Sequence, residues 1–339
     1  MQLGYKLMSE ELGPRELIAN AVHAEEIGFD LAAISDHFSP WLDEEGHAPF
    51  IWSVLGGIAV RTQQIGLMTA VTCPSFRYHP AIVAQAAATV SLLAGPRFRL
   101  GLGSGERLNE HVVGGEWPAT DVRQERLEEA IELIQMLFDG ETCSHRGEYF
   151  VLDRARLFDL PEQLPEIVMA AGGPNAARIA AERGVGLIAT EPSREIVDAY
   201  RESGGMGARC VEIPMCWADS DDEALGTMHR YARWSQLDWN VLPELPTTRA
   251  FASASKFVKP ADLEETPHGP SVDRYVDAIR RYLDAGFEDL ILHQIGPEQD
   301  GFLEFFASEL GTALRGLDER SRRSARQHDH RFEQTSSNG

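Results

Sequence analysis

The sequence predicts an α/β fold, a (β/α)8 barrel, and three observations lead to this prediction. Short runs such as Leu31–Ser35 are continuously apolar, which is typical of strands that a parallel sheet buries on both faces. Eight such runs are each followed by a helical pattern after a short turn, and eight repeats of this kind favour a closed barrel over an open sheet. The length of 339 residues suits one barrel.

The strand and helix units follow one another in order along the chain. The first helix begins at Pro14 and ends before Gly28, because proline is favoured at the first helical position and glycine just past the last. The eight strands are predicted at residues 3–7, 31–35, 65–72, 98–103, 167–171, 186–189, 209–217 and 289–294. Helices are predicted at residues 14–27, 49–61, 80–93, 123–138, from the turn at 172–175 to 183, and at 194–203, 221–235, 272–285 and 302–314.

Two insertions and a tail complete the predicted domain organisation. A small hairpin is expected within residues 141–158, after strand four, and a proline-containing segment of mixed character at 237–270 follows strand seven. Residues 1–317 are predicted to form one barrel. Residues 318–339 are strongly polar and are predicted to be a disordered tail.

The charge of the chain limits the partners that we expect. The formal net charge is −22, and so acidic a protein is repelled by nucleic acid and by anionic membranes. Three lysines stand against 28 arginines and 53 acidic residues. This composition indicates an acidic surface adapted to high salt, where ions screen the self-repulsion. A GC-rich genome would explain the arginines but not the acidity.

Cysteine usage and the amino terminus indicate a cytoplasmic protein. The 4 cysteines show neither CxxC spacing nor the density of a disulfide framework. The first residues lack the layout of a signal peptide, and no apolar run approaches the roughly 18 residues of a membrane span. No HxH or HExxH motif and no carboxylate cluster stands at a strand end, so no metal site is predicted.

Candidate functional residues lie where such barrels carry them, at the carboxyl ends of strands and in the following loops. His37 is a candidate general acid or base because its unperturbed pKa, about 6.5, lies near neutral pH. Asp36 could orient it or bind a ligand hydroxyl; alternatively, Asp36 caps the turn and His37 packs there. Glu106 is a second proton-transfer candidate if burial raises its pKa, with a surface helix cap as the alternative. His293, near the end of strand eight, is another candidate histidine.

Glycines mark two of these loops. Gly101, Gly103 and Gly105 are expected where the backbone turns sharply, where a flat ligand approaches, or where neighbouring strands crowd a barrel strand. Their spacing does not fit the dinucleotide-binding fingerprint. The turn at 172–175 precedes a helix, whose free backbone N–H groups form a potential phosphate cradle.

Several stretches resemble the luciferase-like flavin and deazaflavin oxidoreductases, and within them the branch of F420-dependent glucose-6-phosphate dehydrogenases. The resemblance covers about residues 1–315 and rests mainly on SDHFSPW at 35–41 and GSGERLNEH at 103–111, with LGYK, GHAPF, SFRYHPAIVAQ and AAGGP in support. It implies a luciferase-like barrel, coenzyme F420 and a homodimer. The implied activity is that of a dehydrogenase, which transfers a hydride between a hydroxyl-bearing substrate (an alcohol, a sugar or a sugar phosphate) and the deazaflavin.

The resemblance also implies roles for residues at matching positions. His37 would take the substrate's hydroxyl proton, Glu106 would serve the proton change at the reduced ring, and Thr190 would bind the substrate. The implied coenzyme-binding residues are Asp36, Trp41, Ala70, Val71, Cys73, Ser104, Asn109, Gly172, Gly173, Asn175 and Ala176. A non-proline cis peptide bond is implied at Ala70-Val71.

Two departures from the family pattern bear on the site, and the second weakens the case for a sugar phosphate. Cys73 replaces a coenzyme-contacting threonine, and Ser193 replaces a phosphate-binding lysine, so that a charge-assisted contact to a sugar phosphate is missing. Basic residues of the 237–270 insertion could compensate. The rival functions are an FMN-dependent monooxygenase or reductase on the same barrel and a non-catalytic flavin-binding protein. Retention of His37 and Glu106 argues against the latter.

Overall fold

Eight parallel strands close into a barrel in the computed structural model, which describes residues 1–317. The described residues form ten strands, of which eight belong to the barrel: β1 (Gln2–Leu7), β2 (Leu31–Ile34), β3 (Gly66–Thr69), β4 (Phe98–Leu102), β5 (Cys143–Arg146), β6 (Val151–Ala155), β7 (Glu166–Ala170), β8 (Gly186–Ala189), β9 (Arg209–Met215) and β10 (Asp289–Gln294). β5 and β6 pair antiparallel as a separate hairpin. The other strands follow the chain order around the barrel, and β10 returns to pair with β1.

Helices surround the barrel and alternate with its strands. They are α1 (Pro14–Glu26), α2 (Ile51–Arg61), α3 (Pro80–Ala94), α4 (Arg107–Glu110), α5 (Thr120–Phe138), α6 (Pro174–Glu182), α7 (Arg194–Glu202), α8 (Asp221–Tyr231), α9 (Thr248–Ala254), α10 (Val272–Ala285) and α11 (Gln299–Phe305). α11 continues through a π-helical turn at Phe306–Leu310 to residue 317. None of the helices in the described part of the chain is long and apolar enough to cross a membrane.

The predicted fold class and order of elements are confirmed. The strands at 186–189 and 289–294 and the helix at 272–285 agree to the residue. The last helix begins at Gln299, three residues before its predicted start. The third strand is shorter than predicted: β3 ends at Thr69, whereas residues 65–72 were predicted. The peptide bond Ala70-Val71 is cis, as the resemblance implied.

The two ends of the barrel differ in chemistry, and this difference places the site. At the amino-terminal end, Arg99 donates to Asp289 at 2.9 Å and pairs with Glu166 at 2.9 Å, which closes the barrel with a salt-bridge network. Above it, small and branched side chains from alternate positions fill the lumen. The carboxyl-terminal end is polar and open. The predicted tail, residues 318–339, lies outside the described residues.

Candidate active site

A cavity of about 1490 Å³ opens at the carboxyl ends of the barrel strands. It exceeds the roughly 300–1,000 Å³ of a pocket for one drug-sized ligand. Every residue predicted for the site lines this cavity: Asp36, His37, Trp41, Ala70, Val71, Cys73, Ser104, Glu106, Asn109, Gly172, Gly173, Asn175, Ala176 and Thr190. Among the described residues, no group of three or more His, Cys, Asp or Glu side chains could hold a metal ion.

His37 lies between two carboxylates in the cavity. Its Nδ1 is 3.2 Å from Glu10 Oε1 and 3.2 Å from the carbonyl oxygen of Ser39, and its Nε2 is 3.7 Å from Glu106 Oε2. Because both neighbours of Nδ1 are acceptors, the neutral ring carries its hydrogen on Nδ1. Nε2 is then the unprotonated nitrogen. His37 can therefore accept a proton at Nε2, and Glu10 stabilises the resulting cation.

Glu10 is a buried residue that was not among the predicted site residues. Its Oε2 accepts hydrogen bonds from the hydroxyls of Ser35 and Ser9, which leaves Oε1 facing His37. Glu10 follows β1 by three residues, in the first loop at the carboxyl-terminal end. Applying the strand-end rule to the first strand, and not only to the later ones, would have found it.

Glu106 faces His37 and does not cap a helix. It precedes α4 as the N-cap residue, yet its side chain accepts no capping hydrogen bond. Desolvation raises the pKa of Glu106 above its usual range, and Glu10 raises it further, whereas His37 and Lys6 lower it. The alternative of a surface cap is therefore not what the structure shows. A carboxyl group with a raised pKa can hold a proton and deliver it inside the cavity.

Asn109 ties the two loops that carry His37 and Glu106 together. Its Oδ1 accepts from the backbone N–H of Phe38 at 2.9 Å and of Ser39 at 3.2 Å. Its Nδ2 donates to Glu106 Oε2 at 3.4 Å. Asn109 thus fixes the spacing between the histidine and the carboxylate.

Asp36 lines the cavity, but its carboxylate is engaged by neighbouring side chains. Oδ2 accepts from the Thr72 hydroxyl at 2.7 Å, and Oδ1 accepts from Arg77 Nη2 at 2.9 Å and from the Tyr78 hydroxyl at 3.3 Å. These bonds hold the loop that presents His37. The role of Asp36 as a coenzyme contact stays a prediction.

A buried trio of charged and polar side chains forms the floor of the cavity. Lys6 Nζ donates to Glu212 Oε2 at 2.5 Å and to the carbonyl oxygen of Ala70 at 2.8 Å. Glu212 Oε1 lies 3.2 Å from His293 Nδ1, and His293 Nε2 is buried without a partner among the described residues. Burial alone would raise the pKa of Glu212, but Lys6 and His293 lower it to about 2. Of these three, only His293 was a candidate from the sequence.

Trp41 connects the active-site loop to the insertion after β9. Its ring stacks on Trp234 at 4.2 Å between centroids and meets Phe251 edge-on at 5.0 Å. Glu45 joins the two tryptophans, because Oε2 accepts the backbone N–H of Trp41 at 2.6 Å and Oε1 accepts the indole N–H of Trp234 at 3.0 Å. The insertion therefore forms one wall of the cavity.

The glycines of the two predicted loops serve different purposes. A Cβ on Gly101 would lie 1.9 Å from Thr69 O, and one on Gly103 would lie 2.6 Å from Val71 Cγ2, so neighbouring strands require these glycines. A Cβ on Gly172 or Gly173 would meet nothing within 4 Å, and Gly173 has an extended backbone with φ −172°. Packing within the protein does not require glycine at these two positions.

The Gly172–Gly173 turn suits an anionic ligand. It leads into α6, whose N-cap is Gly173 and which has no side-chain cap. The first N–H groups of a helix lack intrahelical partners and attract phosphate. The open turn and the bare helix start leave space and free N–H groups at the cavity wall, and their role as a phosphate cradle stays a prediction.

Comparison with known proteins places this geometry in a family. Residues 1–296 match the luciferase-like monooxygenases. F420-dependent glucose-6-phosphate dehydrogenases from Tsukamurella paurometabola and Nocardia farcinica are 35% and 37% identical, each aligned over 94% of this chain and 99% of the relative.

Solved structures agree with this placement. An F420-dependent secondary alcohol dehydrogenase in complex with an F420-acetone adduct superposes with a TM-score of 0.83 at 25% identity, over 90% of this chain and 97% of that one. The F420-dependent tetrahydromethanopterin reductase of Methanopyrus kandleri shares the fold, with a TM-score of 0.73 at 20% identity over 91% of this chain and 98% of that one. The resemblance seen in the sequence motifs is confirmed, and the chain belongs to the luciferase-like monooxygenase family.

Proposed function

We propose that the protein is a coenzyme F420-dependent dehydrogenase acting on a CH–OH group. The observation that carries this proposal is the position of His37 Nε2, which lies 3.7 Å from Glu106 Oε2 inside the cavity. A base and an acid placed together are what removal of a hydroxyl proton and protonation of a reduced ring require. Relatives named as F420-dependent dehydrogenases of glucose 6-phosphate and of secondary alcohols support the same cofactor and the oxidation of a CH–OH group.

The residues present fit the coenzyme. The Gly172–Gly173 turn and the start of α6 would hold its phosphate, since both leave space and free N–H donors there. Ala70, Val71 and Ser104 also line the cavity and would face the ring. When bound, the deazaflavin accepts a hydride from the carbon that bears the hydroxyl group.

The chain's own residues handle the protons. His37 takes the hydroxyl proton at Nε2, and Glu10 stabilises the imidazolium through Nδ1. Desolvation raises the pKa of Glu106, which favours its protonated form, and Glu106 would supply the proton that a reduced deazaflavin takes up. Asn109 keeps Glu106 in place. The alcohol thus loses one hydride and one proton and becomes a carbonyl compound.

Replacing His37 by alanine tests the assignment. His37→Ala should lower kcat by about 10²–10⁴-fold, the usual contribution of a general base. The dissociation constant of F420, followed by its fluorescence, should stay within about twofold, since His37 acts on the substrate. The matched control is His47→Ala, at an exposed histidine outside the cavity. A kcat in His37→Ala equal to that of the wild type would contradict the proposal.

A side-by-side titration distinguishes the cofactors. F420 should bind tightly and FMN weakly. Preference for FMN, together with oxygen consumption by the reduced FMN complex, would favour the rival monooxygenase function.

We further propose a cytoplasmic homodimer without nucleic-acid or membrane partners. The family resemblance supports the dimer, and the net charge of −22 supports the absence of polyanionic partners. Sedimentation equilibrium at micromolar concentration would measure the mass, and a mass equal to one chain would contradict the dimer.

A further inference from the structure

We propose that the substrate is an uncharged alcohol that carries an apolar arm, and not a sugar phosphate. This inference rests on the proposed dehydrogenase function and names the substrate class of the same site. It follows from the charges that line the cavity, from the surroundings of Thr190 and from the side chains of the insertion after β9.

Carboxylates dominate the charged lining of the cavity. The acidic residues that line it are Glu10, Asp36, Glu106, Glu110, Glu191, Glu212, Asp262 and Glu265, whereas the lysines and arginines are Lys6, Arg123 and Arg281. Asp36 and Glu110 pair with Arg77, and Glu212 pairs with Lys6, but four lining carboxylates besides Glu106 have no lysine or arginine partner in the described part of the chain: Glu10, Glu191, Asp262 and Glu265. A phosphate dianion in the substrate position would therefore enter a repulsive field.

Two of the three cations are already neutralised within the protein. Lys6 pairs with Glu212 at 2.5 Å on the cavity floor. Arg123 is buried and pairs with Glu244 at 2.9 Å, and it also donates to the carbonyl oxygen of Pro118 at 2.7 Å. Neither has a free charge to offer a substrate.

The third cation has a carboxylate in the same part of the cavity lining. Arg281 is exposed and forms no ion pair in the described part of the chain. Desolvation and Glu191 raise the pKa of Tyr282 and Arg281 lowers it, so that it moves from 10.0 to about 12. Glu191 directly follows Thr190 and brings an anion to the position where a substrate phosphate would need cations.

No lysine or arginine of the insertion, residues 237–270, lines the cavity. Ser193, at the position of the family's lysine, caps α7 by accepting from Ile196 N at 3.4 Å. Arg249, Lys256 and Lys259 are exposed and are not among the lining residues, and Lys256 Nζ contacts the ring of Phe257 at 4.7 Å from its centroid. The cavity lining, in the part of the chain that the structure describes, therefore has no cation in place of the missing lysine.

The insertion instead supplies an apolar wall. Trp239 and Phe257 line the cavity and are nevertheless 57% and 78% exposed. Leu242, Val258 and Leu263 of the insertion also line the cavity, as do Trp41, Met228, Trp234 and Ile295 from other parts of the chain. Large exposed apolar side chains at the mouth of a cavity mark a surface that a ligand covers. An apolar arm on the substrate would cover these rings while the hydroxyl reaches His37.

The reaction on such a substrate is balanced. The carbinol carbon gives its hydride to the deazaflavin and the hydroxyl gives its proton to His37, so the product is a ketone or an aldehyde. The arm takes no part in the chemistry and contributes only binding.

A substrate panel on the F420-loaded protein tests the inference. The panel consists of 4-phenylbutan-2-ol, propan-2-ol, glucose and glucose 6-phosphate. We expect kcat/KM for 4-phenylbutan-2-ol to exceed that for propan-2-ol by about tenfold or more and that for glucose 6-phosphate by about 100-fold or more. Equal or better use of glucose 6-phosphate, no advantage for the phenyl arm, or no oxidation of any alcohol would overturn the inference.

Variants of the wall give a second readout that does not depend on turnover. The ketone 4-phenylbutan-2-one cannot react with oxidised F420, so calorimetry measures its binding to the loaded protein. Trp239→Ala and Phe257→Ala should each weaken this binding by about five- to tenfold. Phe158→Ala, at a residue that is 84% exposed and outside the cavity, is the matched control and should not change it. Unaltered binding in both wall variants would count against the arm.

The experiment separates this inference from the function on which it rests. If F420 binds and glucose 6-phosphate is the preferred donor, the dehydrogenase function stands and the substrate class falls. If F420 fails to bind, both fall.

Discussion

The raised pKa of Glu106 predicts an alkaline limit on alcohol oxidation. Glu106 must carry a proton to deliver it, so kcat should fall as pH rises through its pKa. In Glu106→Gln the side chain cannot ionise, and we expect kcat to be lower by about 10²–10⁴-fold and the alkaline limb to disappear. The pH profile of kcat measures both effects. An alkaline limb that persists in Glu106→Gln would assign it to another group.

Glu11 predicts a pH dependence of stability. The pKa of Glu11 moves from 4.5 to about 8, because burial raises it, a hydrogen bond from Gly296 N lowers it and Glu10 raises it. Because the folded state holds this proton more tightly, the stabilisation is full below pH 4.5 and is lost as pH rises to about 8.

The variant Glu11→Gln keeps an acceptor for Gly296 N and cannot ionise. Its free energy of unfolding should exceed that of the wild type at pH 9 by a few kcal/mol, with little difference at pH 5. Denaturant titrations at the two pH values measure this. If the variant and the wild type differ in free energy of unfolding by the same amount at pH 5 and pH 9, the pH dependence does not come from Glu11.

Residues at the site differ in how visible they are in the sequence. His37, Glu106 and Asn109 were predicted because they lie in the polar segments that follow predicted strands. Lys6 and Glu212 stand inside strands, where a polar residue looks like a solvent-facing position. Their ion pair joins residues 206 positions apart across the barrel, and no local pattern carries that distance.

Strand β4 and the turn before α6 give a matched pair of glycine predictions. Gly101→Ala should destabilise the fold by several kcal/mol, because its Cβ would overlap the backbone oxygen of Thr69. Gly172→Ala should leave thermal stability nearly unchanged, since its Cβ meets nothing within 4 Å, but should weaken F420 binding because that space would hold the phosphate. Melting temperatures and F420 titrations measure the two effects. Equal destabilisation by both changes would show that Gly172 is structural.

Elements were predictable wherever a strand or helix had a strong period and clear ends. Helix α10 is an example, because Gly286 follows its last residue in a left-handed conformation at φ +104°. The four-residue helix α4 is too short to show a period. The 237–270 insertion breaks into the short helix α9 and single turns, so its packing on Trp41 depends on tertiary contacts that only the folded structure displays.

In the molecule as a whole, the fold and the net charge depend on different sets of residues. The parallel barrel follows from buried apolar strands, and its closure was predictable from the number of repeats. The cavity chemistry was only partly predictable, because residues from β1, β9 and β10 meet there. The surface charge is independent of both, and so it can be tested without affecting the site.

The net charge of −22 predicts that the folded molecule gains stability with salt. The Debye length shrinks from about 10 Å at 0.1 M to about 3 Å at 1 M, which screens the repulsion among surface carboxylates. We expect the melting temperature to rise by about 5–10 °C between 0.05 and 1 M KCl, equivalent to a few kcal/mol. Glu141, Glu162 and Glu264 are exposed and form no ion pair in the described part of the chain. The triple variant Glu141→Lys, Glu162→Lys, Glu264→Lys should therefore have a higher melting temperature than the wild type in low salt, and its melting temperature should rise less with KCl. A wild-type melting temperature that does not change with KCl would contradict salt adaptation.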